Sequence, residues 1–273
     1  MSPERPFLTA QWTELLALNF EVPADVVARI APPGTEPDLF EGRAYASIVG
    51  FTFRDARLYG LRPPGHARFE EVNLRCYVCR RVDGRLRRGV VFVREIANRP
   101  AVAAVARWVY HESYVTRSMR SDTRQASDAL AASDRVGYAW RNSWWRRGPW
   151  NRIAGLVSRP LALAEPGSLT EFLVDHYWAY THERNGTTAE YRVAHRPWRV
   201  APAEEILWDC DLAATYPHAS GLAEHLAAQP VLAFVADGSP VQVFRGRKVQ
   251  SPVAADLVPP AMAPRDRCVI RVG

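Results

Sequence analysis

Residues 69–81, FEEVNLRCYVCRR, switch between two sets of side chains at every position, and this period of two constrains the fold more than any other feature of the chain. Such a segment is a β-strand with Val72, Leu74, Cys76 and Val78 on one face and Glu71, Asn73, Arg75 and Tyr77 on the other. The aliphatic face requires a core. The Glu-x-Asn-x-Arg face is a wet outer surface or, if the sheet closes on itself, the wall of a cavity in which a carboxylate and a guanidinium orient a ligand. Cys76 and Cys79 point to opposite faces, with Cα atoms roughly 10 Å apart in an extended strand, so their spacing reads as neither a disulfide nor a metal pair.

The same period recurs along the chain. In TELLALNFEV (13–22), Leu16, Leu18, Phe20 and Val22 alternate with Ala17, Asn19 and Glu21, the pattern of a half-buried strand. GRAYASIVGFTFRDARLYG (42–60) reads as a long strand bent at Gly50, and RRGVVFVREI (87–96) as a strand returned through the polar VDGRLR turn. Strict alternation on 87–96 groups Arg94 with Val90, Phe92 and Ile96, and Glu95 with Val91 and Val93, so at least one charge sits among buried groups. β-Hairpins are predicted about Asn185-Gly186 and about Asp237-Gly238. SYVTRSMRSD and RVGYAWRNSWW read as two further strands around a polar loop. Helices are predicted for PADVVARIAPPG, for NRPAVAAVARWVYHES and after Ser168, which forms a capping box with Glu171. Many strands, a few short helices and no βαβ rhythm give a mostly β (α+β) chain with a closed or nearly closed antiparallel sheet. No linker divides residues 1–273, which read as one domain.

The chain is basic, with a net charge of +6, and Lys248 is its one lysine. Arginine binds carboxylates bidentately and forms no Schiff base. The start, MSPERPF, has no apolar signal core, no run is long enough to span a bilayer, and four cysteines are too few for a disulfide framework. A cytoplasmic protein with free thiols is expected. The seven histidines show no metal spacing and no cofactor-binding loop is present, so no metal and no cofactor are expected. His111 ends the Ala-Val helix, where the dipole favours a cation. His66, and after it His195, are placed to reach a cavity mouth as proton donors or acceptors.

LFEGRAYASIVGF, FEEVNLRCYV, VREI with ARWVYHESY, and HRPW followed by PAEE resemble the YqjF-like family of uncharacterised bacterial proteins (domain of unknown function 2071). The resemblance runs from about Phe7 to VQVFRGRKV, nearly the whole chain. That family looks like a branch of the acetoacetate decarboxylase-like superfamily. The resemblance implies a cone-shaped, mostly antiparallel β-barrel around a central cavity, with a few short helices, and a homo-oligomer. In the decarboxylase a lysine forms a Schiff base with the keto group, and an arginine and glutamates hold the acid. Glu71 matches the family's cavity glutamate, and Arg94 with Glu95 matches its Arg-Glu motif. The segment REIANRPAV departs from the pattern: Ala101 and Val102 follow the proline where the paired lysines stand, which removes imine chemistry. Lys248, beside two arginines in RGRKVQ, reads as a solvated strand edge rather than a displaced nucleophile.

The expected site is a polar cavity for a small organic (keto or hydroxy) acid or carbonyl compound, with Glu71, Glu95 and His66 as catalytic residues and Asn73, Arg75 and Arg94 holding the substrate. Three classes of function fit: a lyase- or hydratase-like enzyme working without an imine, a non-catalytic binding protein with the same arginine clamp, and, less favoured, an Arg/Trp-rich nucleic-acid or membrane-surface binder. The stretch YAWRNSWWRRGPWNR (138–152) mixes tryptophan with arginine, as single-stranded nucleic-acid sites, membrane surfaces and subunit interfaces do. In a family that oligomerises, it is read as an interface or cavity lid.

Overall fold

The computed structural model describes residues 4–249 apart from positions 66, 101–112, 128, 144–147, 184, 218 and 220. Among these, period-two patterning gives β1 (Leu8–Val22), the helix α1 (Ala24–Ile30), β2 (Glu36–Pro37), β3 (Ala44–Leu58), β4 (Arg68–Val82) and β5 (Arg85–Ala97). Shorter elements come next: β6 (Tyr114–Thr116), β7 (Met119–Ser121), β8 (Arg135–Trp140), β9 (Asn151–Val157), β10 (Ala162–Leu163) and helix α2 (Leu169–Val174). The last part holds β11 (Trp178–His182), β12 (Thr188–His195), β13 (Arg199–Asp209), the short helices α3 (Leu212–Thr215) and α4 (Ala223–Leu226), β14 (Leu232–Val243) and β15 (Arg247–Val249).

Strand pairing runs β1-β3-β4-β5-β11-β12-β14 and returns from β14 to β1, closing a ring. Six of its junctions are antiparallel, as the sequence pattern implies. The seventh, between β5 and β11, is parallel, with Gly89 opposite Trp178. The long connection carrying β6 to β10 and α2 makes that possible, because parallel neighbours need a crossover. β14 also pairs with β13, which leads through β9 and β8 to β7 and forms a second layer.

That layer covers the outside of the ring. Tyr138, Trp140, Ile153 and Val157 pack with Leu16, Leu18, Ile48, Leu74 and Cys76 in one core cluster. A second cluster faces inward and contains Leu15, Ala17, Val49, Phe51, Phe53, Phe69 and Tyr77. β1 is therefore buried on both faces over most of its length, where alternation alone predicts a half-buried strand.

Two irregularities decide which side chains face inward. In β1, Glu14 adopts φ 58° and the register with β3 shifts between Thr13 and Leu16, opposite the bend expected at Gly50. The extra residue turns both Trp12 and Leu15 to the inner face. Between β4 and β5 the register shifts after Leu74: Leu74 pairs with Arg94, but Arg75 pairs with Phe92. Val93 is the bulged residue.

The Asn185-Gly186 hairpin joins β11 to β12, with Gly186 at φ +79° and the Asn185 side chain accepting from the Thr187 amide at 3.1 Å. Asp237-Gly238 makes no hairpin. β14 continues through it, pairing with β1 on both sides while its other neighbour changes from β13 to β12. Gly238, at φ +80°, marks this bend, and a Cβ there would lie 2.1 Å from the Trp12 carbonyl oxygen. Pro23 precedes α1, and the Ser168 hydroxyl accepts from the Glu171 amide at 3.2 Å at the start of α2. The helix expected over 98–113 falls almost entirely outside the described residues. Cys76 and Cys210 are free thiols, whereas Cys79 is disulfide-bonded, contrary to the expectation of free thiols throughout. No helix among the described residues is long and apolar enough to cross a membrane.

Candidate functional site

The inner face of the ring surrounds a cavity of about 220 Å³. Its walls are mainly rings and aliphatic groups: Trp12 from β1, Phe51 and Phe53 from β3, Phe69 from β4, Phe92 from β5, Tyr191 from β12, and Trp198, with Leu15, Val49, Val193 and Val243 between them. The cavity is thus mostly apolar, not polar as expected. Apart from Arg57, exposed near the end of β3, the polar groups lie along one part of the wall: Glu71, Asn73 and Arg75 from β4, Glu95 from β5 and Tyr114 from β6.

Strand register explains this grouping. Glu71, Asn73 and Arg75 are alternate residues of one strand, so they share a face. Asn73 pairs with Glu95, and Glu95 with Tyr114 on the parallel strand β6. The bulge at Val93 reverses the faces of β5 beyond it, so Phe92 and Glu95 both turn inward. Arg94 turns outward instead. It is half-buried on the opposite side of the sheet, where burial and the neighbouring Arg117 guanidinium both lower its pKa and Tyr216 lies nearby. Arg94 does not line the cavity, because strict alternation does not hold across a bulge.

Glu71 is 2 % exposed. The Tyr114 hydroxyl donates to its Oε2 at 2.6 Å and the Asn73 amide to its Oε1 at 3.1 Å. Burial outweighs both hydrogen bonds and pushes the Glu71 carboxyl up to about 7. Burial and the charges of Glu71 and Glu95 hold the Tyr114 phenol well above its ordinary range. Arg75 leans over the Tyr77 ring at 5.4 Å, with Nη2 3.4 Å from the Tyr77 hydroxyl, and Tyr77 is tied at 2.7 Å to Ser47. Among the described residues no carboxylate lies within ion-pair distance of Arg75. Among the described residues the Asn73 Oδ1 and Arg75 Nε atoms are buried without a hydrogen-bond partner.

His66 and His111 lie outside the described residues. His195 does not line the cavity. Its ring stacks on Trp198 at 4.6 Å, beside Tyr177, and burial lowers its pKa. Lys248 is exposed on β15, the last strand of the sheet, and pairs with Ala189. In the Trp/Arg stretch, Trp140 is fully buried and Trp150 is held by Arg120 and Arg141 at 4.5 and 4.3 Å, so neither ring is free to stack on a base. Trp144, Trp145, Arg146 and Arg147 lie outside the described residues. Among the described residues no three His, Cys, Asp or Glu side chains gather as for a metal ion.

The sequence pattern does not single out Tyr114 or the aromatic wall. Tyr114 ends the segment ARWVYHESY, but only the parallel pairing of β6 with β5 brings it to Glu71.

The chain is similar to several known proteins. It is 26% identical to the uncharacterised protein YqjF of Bacillus subtilis (strain 168) over 194 residues, 71% of this chain and 74% of that one. Among solved structures it is similar to the enduracididine biosynthesis enzyme MppR complexed with pyruvate (TM-score 0.58, 15% identity, 90% of this chain and 91% of that one). It is also similar to an acetoacetate decarboxylase-like enzyme from Sphingomonas wittichii RW1 (TM-score 0.60, 12% identity, 90% and 94%). At these identities the likeness establishes the fold, which is acetoacetate decarboxylase-like and mostly β. The model of the DUF2071 family, described as an uncharacterised conserved protein, matches residues 9–240, and the chain belongs to that family.

Proposed function

We infer that the ring cavity binds a small organic acid or carbonyl compound, and that Glu71 moves a proton on it without an imine intermediate. The observation that carries this reading is a buried glutamate in the wall of an apolar cavity that also presents the Arg75 guanidinium, with burial raising the glutamate's pKa. Arg75 neutralises the ligand carboxylate, Asn73 and Tyr114 orient Glu71, and Glu95 places a second carboxyl beside Asn73. MppR, similar in fold, has been solved with pyruvate, which supports an acid or carbonyl ligand. The cavity lining includes no lysine, and Lys248 sits on an exposed edge strand, which supports lyase- or hydratase-like chemistry over a decarboxylase mechanism.

A second reading, a binding protein with no turnover, is favoured by the predominance of hydrocarbon in the walls. A thermal-shift screen of 2-keto, 3-keto and hydroxy acids, with NMR of any stabilising compound, separates the two. Conversion of the ligand supports the enzyme and recovery unchanged supports the binder. A borohydride-trapped adduct with a keto acid refutes the absence of an imine.

A further inference from the structure

The size and walls of the cavity specify more of the ligand than its polar groups do. An apolar cavity of ~150 Å³ holds a benzene ring. At about 220 Å³, this one has room for a ring and a further group the size of a carboxylate. A three-carbon acid would leave much of the wall facing unfilled space, and a lining atom without a neighbour loses its dispersion contacts.

The walls are also arranged as rings pack among themselves. Phe53 and Phe69 are stacked with centroids 4.4 Å apart and planes 18° apart, while Trp12 meets Phe51 edge-on at 5.3 Å and Trp198 at 5.9 Å. Aromatic pairs gain from offset-stacked and edge-to-face contacts beyond the area they bury. A planar guest extends such packing. A flexible alkyl chain loses rotamer freedom on entry and gains none of the ring-to-ring contacts. On the polar side, Glu71, Asn73 and Arg75 line the cavity. The Arg75 guanidinium matches a carboxylate, and the Glu71 carboxyl accepts from an adjacent hydroxyl or enol.

We propose that the ligand is an aryl-substituted organic acid: one aromatic ring joined by a short linker to a carboxylate bearing a 2-hydroxyl or an enolisable 2-keto group. The ring lies against Trp12 and the Phe53–Phe69 stack, and the carboxylate against Arg75. This rests on the acid-binding reading above and narrows its ligand class.

The test is calorimetric titration of the whole chain with phenylpyruvate, phenyllactate, pyruvate, octanoate and benzyl alcohol. The expected result is that the two phenyl acids bind at least about tenfold more tightly than pyruvate, octanoate and benzyl alcohol. Pyruvate or octanoate binding as tightly as the phenyl acids overturns the aryl class and leaves the acid site standing. Benzyl alcohol matching phenylpyruvate overturns the role of Arg75 and with it the acid-binding reading. Absence of binding by every probe overturns both.

Discussion

Replacing Glu71 by glutamine removes a titrating group from the inner wall and keeps its shape. The glutamine carbonyl still accepts from the Tyr114 hydroxyl, now 2.6 Å from Oε2. Burial raises the carboxyl from 4.5 to about 7 in the folded protein. Below pH 4.5 the group is protonated whether the chain is folded or not, and wild type and variant behave alike. As pH rises towards 7 the unfolded chain releases the proton while the folded one retains it, so the wild type loses stability across that window. At ~1.4 kcal/mol per pH unit the loss reaches roughly 3 kcal/mol by neutral pH. The Glu71→Gln protein does not share it. Urea unfolding monitored by fluorescence across the window measures the difference: curves that coincide at low pH and separate by roughly 3 kcal/mol above pH 7, with the variant more stable. Parallel curves would show that the Glu71 carboxyl titrates as it does in water, and the proton-transfer role would go with it.

The geometry sets three further outcomes. Gly238→Ala places a Cβ against the Trp12 carbonyl at φ +80° and lowers stability by more than about 3 kcal/mol in urea unfolding, or prevents folding. Arg75→Gln weakens binding of any acid ligand by about 10–100-fold in calorimetric titration, the size of a lost charge-assisted hydrogen bond, whereas Arg94→Gln changes it less than about twofold because Arg94 faces away from the cavity. Ser168→Ala removes the cap of α2 and costs about 1 kcal/mol of thermal stability.

The part of the fold legible in the sequence is the part that local periodicity dictates. Val72, Leu74, Cys76 and Val78 of β4 are core residues, and Glu71, Asn73 and Arg75 share the opposite face, because nothing interrupts the alternation of that strand. On β5 the same rule misplaces Arg94, since the extra residue at Val93 is dictated by the register with β4 and leaves no mark in composition. Gly238 carries a strong turn signal yet bends a strand. Its positive φ is real, but the approach of Trp12 from β1, more than two hundred positions away, decides whether the chain reverses. The resemblance to a family supplies the ring architecture, which no window of residues contains. The aromatic wall stays hidden for the same reason: Trp12, Phe53, Phe92 and Trp198 become neighbours only once the ring exists.

The parallel junction of β5 and β11 also bears on how the molecule assembles. It joins positions about ninety residues apart, and the junction of β1 with β14 joins the two ends of the fold. Antiparallel neighbours such as β4 and β5 can meet early through a short turn, but these two seams demand that long, costly loops be closed first. The central chamber is consequently a late product of folding, with no counterpart in any isolated hairpin. A compound captured there reports on the completed molecule as a whole.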